Sequence, residues 1–181
     1  LKGAAEALRQ KGNHVVTVQT EHKSVLDACK NLERHGYQVT YLPVNEFGLL
    51  TIDELAAAFT PKTILVSVMA ANNEIGTLQP LEAIGKLCKD KGVLFHSDAT
   101  QAIGKIPIDV AQMNIDLLSF SGHKIYAPKG VGALVVRNAG SRLRLVQQID
   151  GGGHERGIRS GTLNVPGIVG LAKAVGLETL A

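Results

Sequence analysis

Apolar residues along this chain fall into two alternating spacings. Short runs rich in β-branched and other apolar residues occur at residues 14–20 (HVVTVQT), 39–44, 63–69 (TILVSVM), 93–98 (VLFHSD), 117–121 and 132–137 (GALVVR), and each reads as a strand. The run at 63–69 is apolar without alternation, as expected of a strand covered on both faces. Between these runs the apolar positions recur every three or four residues. Val25, Cys29 and Leu32 mark one face of a helix that Ser24 opens as N-cap, with Asp27 three residues on, and that Gly36 stops. Thr51 and Glu54 form a capping box for a short helix ending before Pro61. Pro80 takes the first helical position of another helix, with Leu81, Ile84 and Cys88 along one side and Gly92 as stop. A last helix runs from about residue 166 to the end, and Leu1, Ala5 and Leu8 repeat the helical spacing at the start. Strand and helix in this rhythm predict an α/β fold, a mostly parallel sheet with helices on both faces.

In such sheets ligands sit beyond the carboxyl ends of the strands. Four strand ends carry polar, reactive groups: Thr20–Glu21–His22–Lys23, Asn72–Asn73–Glu74, His96–Ser97–Asp98 and Ser121–Gly122–His123–Lys124. Taken singly, each has an ordinary structural reading. Lys124 reads as a solvated loop charge, Asp98 as a turn or cap residue, Asn72 and Asn73 as turn formers, and His96 as a hydrogen-bonded, half-buried histidine.

Composition narrows the setting. The chain has 181 residues, 45% hydrophobic and 19% charged, which suits one domain with a sizeable core. The net charge is +3 with the signs mixed; apart from a loose cluster at Arg137, Arg142 and Arg144, nothing suggests nucleic acid. No apolar run is long enough to span a membrane, and no secretory leader pattern is present. Cys29 and Cys88 lie on apolar helix faces and read as core residues of a protein in a reducing compartment, the cytoplasm or the matrix of an organelle. The chain opens at Leu1 and closes at Ala181, each inside a helical pattern, so it is expected to be a piece of a longer protein.

Together, the four strand ends suit pyridoxal phosphate. That cofactor needs a lysine for a Schiff base, an ionised acid for its pyridine nitrogen, and donors for its phosphate. Lys124 supplies the amine, with desolvation expected to make it a better nucleophile, and Asp98 supplies the acid. Ser121, His123 and the backbone near Gly122 can hold the phosphate, Gln101 can donate to the phenolic oxygen, and His22 can lie flat over the ring. A metal hydrolase is a rival reading. His22, His96, Asp98, His123, His154 and Glu155 are suitable ligand types, but their spacing matches no strong zinc pattern and leaves Lys124 idle. A third reading is a non-catalytic binding fragment, in which Gly151–Gly153 is a plain loop and Arg156 and Arg159 are surface charge.

Five segments in order, TEHKSVLD, ANNEIGTLQP, HSDATQAIGKIPID, SFSGHKIYAPKG and GGGHERGIRSGTLNVPGIVG, resemble the cysteine desulfurases of the NifS/IscS type, which are class-V aminotransferases. The resemblance covers essentially the whole chain. It implies the large domain of the aspartate aminotransferase fold over residues 1–181, with the last strand antiparallel, and no metal. It implies Lys124 as the covalent anchor of the cofactor and His22 as ring stack and proton-transfer aid. Asp98 would face the pyridine nitrogen, Gln101 the phenolic oxygen, and Ser121 and His123 the phosphate. Asn73 would lie near the substrate, and Thr162 would reach the cofactor phosphate of a neighbouring subunit in a homodimer. The implied reaction takes sulfur from L-cysteine, leaving L-alanine and an enzyme persulfide for an iron–sulfur scaffold or another sulfur acceptor. Selenocysteine lysis or transamination on the same scaffold is the nearest alternative. The small domain, the nucleophilic cysteine loop and the arginine for the substrate carboxylate are missing from the chain, so alone it is expected to have little desulfurase activity. One departure is Ala127, where the motif more often has glycine; alanine is acceptable there unless the backbone needs positive φ.

Overall fold

The structure is a computed structural model and describes residues 1–137 and 145–178. The chain opens with α1 (Lys2–Ala7) and then alternates: β1 (His14–Val18), α2 (Lys23–Arg34), β2 (Gln38–Leu42), α3 (Ile52–Ala58), β3 (Thr63–Ser67), α4 (Leu81–Lys91) and β4 (Leu94–Asp98). Two strands follow directly, β5 (Leu117–Ser121) and β6 (Gly132–Val136), and α5 (Val165–Glu178) closes the described chain. The strands form one sheet in the order β2-β1-β3-β4-β5-β6. The first five are parallel, and β6 runs antiparallel to β5. The α/β reading and the antiparallel last strand are therefore both found.

Alternation along the strands sorts the core into two layers. Val16, Val18, Val66, Val68, Phe95 and Leu118 face α3 and α4, whose Leu55, Leu81, Ile84 and Cys88 pack on them. Val15, Leu65 and Leu117 point the other way, toward Ala4, Ala5 and Leu8 of α1 and Leu32 of α2. The second face is not wholly apolar. The Thr17 hydroxyl donates to the Ser67 carbonyl at 2.9 Å, the Ser67 hydroxyl lies 2.8 Å from His96 Nδ1, and His96 Nε2 lies 2.9 Å from the Ser119 hydroxyl. This buried polar chain crosses β1, β3, β4 and β5. Dehydration drives the His96 pKa down to about 3, so the ring is neutral and bridges two hydroxyls.

Two local expectations change. The cap of α2 is His22, not Ser24: His22 Nδ1 accepts from the Ser24 amide at 3.2 Å, because the turn after β1 leaves the imidazole over the open end of the helix. Pro80 is the cap of α4 rather than its first residue, with ψ at 69°, outside the helical range. Arg137, of the loose basic cluster, is half-buried and paired. Its Nε donates to the Ile115 carbonyl at 2.7 Å, and its guanidinium pairs with Asp116 at 2.8 Å. Arg142 and Arg144 lie outside the described residues, as do the last three positions of the final helical pattern. Thr51 caps α3 as expected, Oγ1 accepting from the Glu54 amide at 3.3 Å, but the Glu54 carboxylate accepts from the Thr51 hydroxyl, at 2.6 Å, and not from its amide, so the capping box is only half formed.

Candidate active site

The ends of β1, β3, β4 and β5 share one edge of the sheet because all four strands are parallel. Along that edge the Glu21–His22 turn, the Met69–Asn73 segment, Asp98 and the Ser121–Lys124 turn follow in spatial order. Register fixes the central pair. Asp98 is the partner of Ser119, and Ser121, two residues on, projects from the same face. A group at the end of β4 and a turn at the end of β5 are thus immediate neighbours, about 4.8 Å apart in strand spacing.

Asp98 is buried, at 8% exposure. Its Oδ1 accepts from the Thr100 amide at 2.9 Å, and Oδ2 has no hydrogen-bond partner among the described residues, which leaves it for a ligand. Beyond β5 the chain enters a 3-10 turn, Gly122–Ile125, that carries His123 and Lys124. The Ser121 hydroxyl lies 2.7 Å from His123 Nδ1, so the two side chains share a hydrogen bond at the turn that carries the lysine. Packing explains why glycine stands at 122. A Cβ there would lie 3.0 Å from both the Ala127 methyl and Leu171 Cδ1 of α5. The turn is in turn seated on α5 through Ile125, Ala127, Leu171 and Ala174. The left-handed residue of this segment is Tyr126, with φ 62°, so Ala127 meets no backbone obstacle.

The remaining expected residues are placed less tightly. His22 is exposed, and its Nδ1 is engaged by Ser24, at 3.2 Å from the amide and 2.8 Å from the hydroxyl. An acceptor at Nδ1 puts the neutral ring's proton on Nε2. Gln101 Oε1 accepts from Lys105 at 3.1 Å. Asn73 donates to Glu74 at 2.8 Å, whereas its neighbour Asn72 is the buried one, accepting from the Glu74 and Ile75 amides and donating to the Thr20 carbonyl. Thr162 is exposed, before α5. The expected desolvation of Lys124 is not found: the residue is exposed, on a surface turn beyond the end of β5.

The metal reading loses its ligands. Among the described residues no three His, Cys, Asp or Glu side chains come together to hold an ion, and His96 is committed to Ser67 and Ser119. Gly151–Gly153 belongs to a folded loop, in which the buried Ser160 accepts from the Gly153 amide at 3.1 Å and its own amide donates to the Ile149 carbonyl at 3.1 Å. Sequence reading gave no role to Glu21, although it lies in one of the four polar strand ends. Its carboxyl is 5% exposed and accepts from the Met69 amide.

The sequence model of the family described as Aminotransferase class-V matches residues 1–179. The chain belongs to the class-V aminotransferases. Within this family it is similar to proteins named cysteine desulfurase IscS. The relative from Ehrlichia chaffeensis is 58% identical over 174 residues, covering 96% of this chain and 42% of that protein. The relative from Pectobacterium atrosepticum is 56% identical, covering 96% and 43%. Among solved structures, one described as SspA in complex with cysteine superposes with a TM-score of 0.92 at 46% identity, over 97% of this chain and 50% of that one. A NifS-like protein also gives 0.92, at 44% identity, over 99% and 49%. This class-V aminotransferase chain thus spans less than half the length of the curated relatives it matches.

Proposed function

We propose that the protein carrying this chain is a pyridoxal-phosphate-dependent cysteine desulfurase, and that residues 1–181 are its cofactor-binding large domain. The observation that carries this is the adjacency of Asp98 to the Ser121–Lys124 turn at neighbouring strand ends, on one face of the sheet. An acid with one free oxygen on β4, and a lysine, a serine and a histidine on the turn after the neighbouring strand, form a set of side chains that fits a flat, phosphorylated pyridine. The names of the desulfurase relatives, and of a neighbour solved with cysteine, favour sulfur chemistry over transamination.

When bound, the cofactor supplies an aldehyde for covalent attachment and an electron-withdrawing ring. Lys124 Nζ would be the covalent anchor of the aldehyde, and the same amine, when free, would carry a proton. Asp98 Oδ2 would accept from the pyridine N–H and hold the proton there. Ser121 and His123 donate to the phosphate, and Gln101, released from Lys105, donates to the phenolic oxygen. His22 would cover the ring, with Nε2 free of the Ser24 contacts that engage Nδ1. Asn73 lies on the substrate side, and Thr162 serves the phosphate of the second subunit in a homodimer. In the net reaction the C–S bond of L-cysteine breaks and an S–S bond to an enzyme thiol forms, giving L-alanine and a persulfide that a sulfur-acceptor protein consumes. Cys29 and Cys88 are not that thiol: both are buried, and dehydration pushes each up to about 12. Two buried, unpaired thiols suit a reducing compartment, the cytoplasm or an organellar matrix, which is the setting proposed for the enzyme.

The test is visible absorbance of the full-length protein before and after borohydride, with mass spectrometry of the adduct. The expected result is a yellow protein whose pyridoxyl label sits on Lys124 and is lost in Lys124→Ala. A colourless protein, or a label on another lysine, overturns the proposal.

A further inference from the structure

Glu21 has the most unusual surroundings of any acid in the described chain. It is 5% exposed, one oxygen accepts from the Met69 amide, and the other, Oε2, is buried with no partner. No lysine, arginine or histidine among the described residues donates to it. A dry carboxylate without a counter-charge is among the costliest groups a protein can hold, so such a group takes up a proton instead. The groups around it agree. Met69, at the end of β3, offers only its amide. The titratable groups facing Glu21 are Asp98 from β4, whose negative charge repels it, and the Cys29 thiol from α2. Neither is a cation.

We propose, resting on the function inferred above, that Glu21 is a positioning residue held as a neutral acid, tying the His22 turn to the end of β3 and leaving Asp98 as the single negative charge for the ring nitrogen. The Met69 amide can only donate, so Oε1 accepts and the proton belongs on Oε2. Neutrality matters at this place. An ionised Glu21 would put two like charges into one dry spot and compete with Asp98 for the cationic ring nitrogen. A neutral acid keeps the tether without that competition. Burial is the main cause that lifts the Glu21 pKa to about 8, with the Asp98 charge adding to it and the Met69 amide opposing it.

The sign of the consequence follows. The folded group binds its proton more tightly than the unfolded one, so its contribution to stability is complete below pH 4.5 and is lost as pH rises to about 8. Glu21→Gln keeps the shape and the acceptor for Met69 but cannot ionise. In urea unfolding of the full-length apoprotein, the Glu21→Gln midpoint is expected to match wild type near the acidic end of that window and to exceed it increasingly toward the alkaline end. At neutral pH an infrared difference spectrum between the two proteins should show a neutral carboxyl band lost in the variant. Glu21→Ala orphans the Met69 amide and should weaken pyridoxal phosphate about tenfold, while Glu21→Gln binds it like wild type. Parallel midpoint curves, or no neutral carboxyl band, overturn the protonation state; undiminished cofactor binding by Glu21→Ala overturns the positioning role. Failure of the wild-type protein to bind pyridoxal phosphate would instead sink the functional reading, and the apoprotein measurements would still judge the protonation of Glu21.

Discussion

Asp98 and Ser119 face one another across β4 and β5, and the Ala99 amide donates to the Ser119 carbonyl at 2.8 Å. That ladder contact sets the height of the acid relative to the lysine turn. A slip of one residue would send Asp98 to the opposite face, away from Ser121. The register is held from below by His96, which is tied to Ser119 on one side and to Ser67 on the other.

Asp98→Asn tests the acid directly. The amide retains an oxygen for the Thr100 amide but brings no charge to the ring nitrogen. A charge-assisted hydrogen bond contributes about 1.5–3 kcal/mol, so pyridoxal phosphate is expected to bind roughly 10- to 100-fold more weakly. Absorbance titration of the full-length apoprotein measures this; unchanged affinity would remove Asp98 from the site.

His96 makes the fold acid-sensitive. Its folded pKa is depressed to about 3 against 6.5 for the free group, so the unfolded chain binds the proton more readily. Stability is complete above pH 6.5 and falls with pH down to about 3, by a total on the order of 5 kcal/mol. His96→Leu abolishes this part of the pH dependence. At neutral pH it also strands the Ser67 and Ser119 hydroxyls, at a cost of about 2–4 kcal/mol. Urea midpoints for the two proteins between neutral and acid pH should converge; a constant separation would contradict the neutral bridge.

Gly85 is fixed by contact. A Cβ there would sit 1.8 Å from the Met113 carbonyl oxygen, so α4 would have to leave the 113–114 turn it rests on. Gly85→Ala is expected to destabilise the protein by about 1–3 kcal/mol in denaturant unfolding, despite alanine's better helix propensity. A stabilised variant would show that α4 packs elsewhere.

The legible parts of this protein were those written in local pattern. The β-branched run of β1 and the continuous apolar run of β3 announced their strands, and Thr51 with Glu54 announced α3. The four polar strand ends could be collected from the sequence, because parallel connections force them onto one edge. Caps were less legible. Ser24 outranks histidine as a helix cap by type, yet the turn after β1 delivers the His22 ring to the exposed Ser24 amide.

By itself, then, the sequence determined the element order, the sheet class and the roster of reactive groups, since these follow from hydrophobic period, turn chemistry and chain connectivity. Only the tertiary structure decided which groups are dry and which are wet: Lys124 stands exposed, Glu21 is sealed with an unpartnered oxygen, and His96 is neutral between two serines. Burial and partnership arise between segments distant in the chain, as where Glu21 meets the Met69 amide, and no local pattern records them.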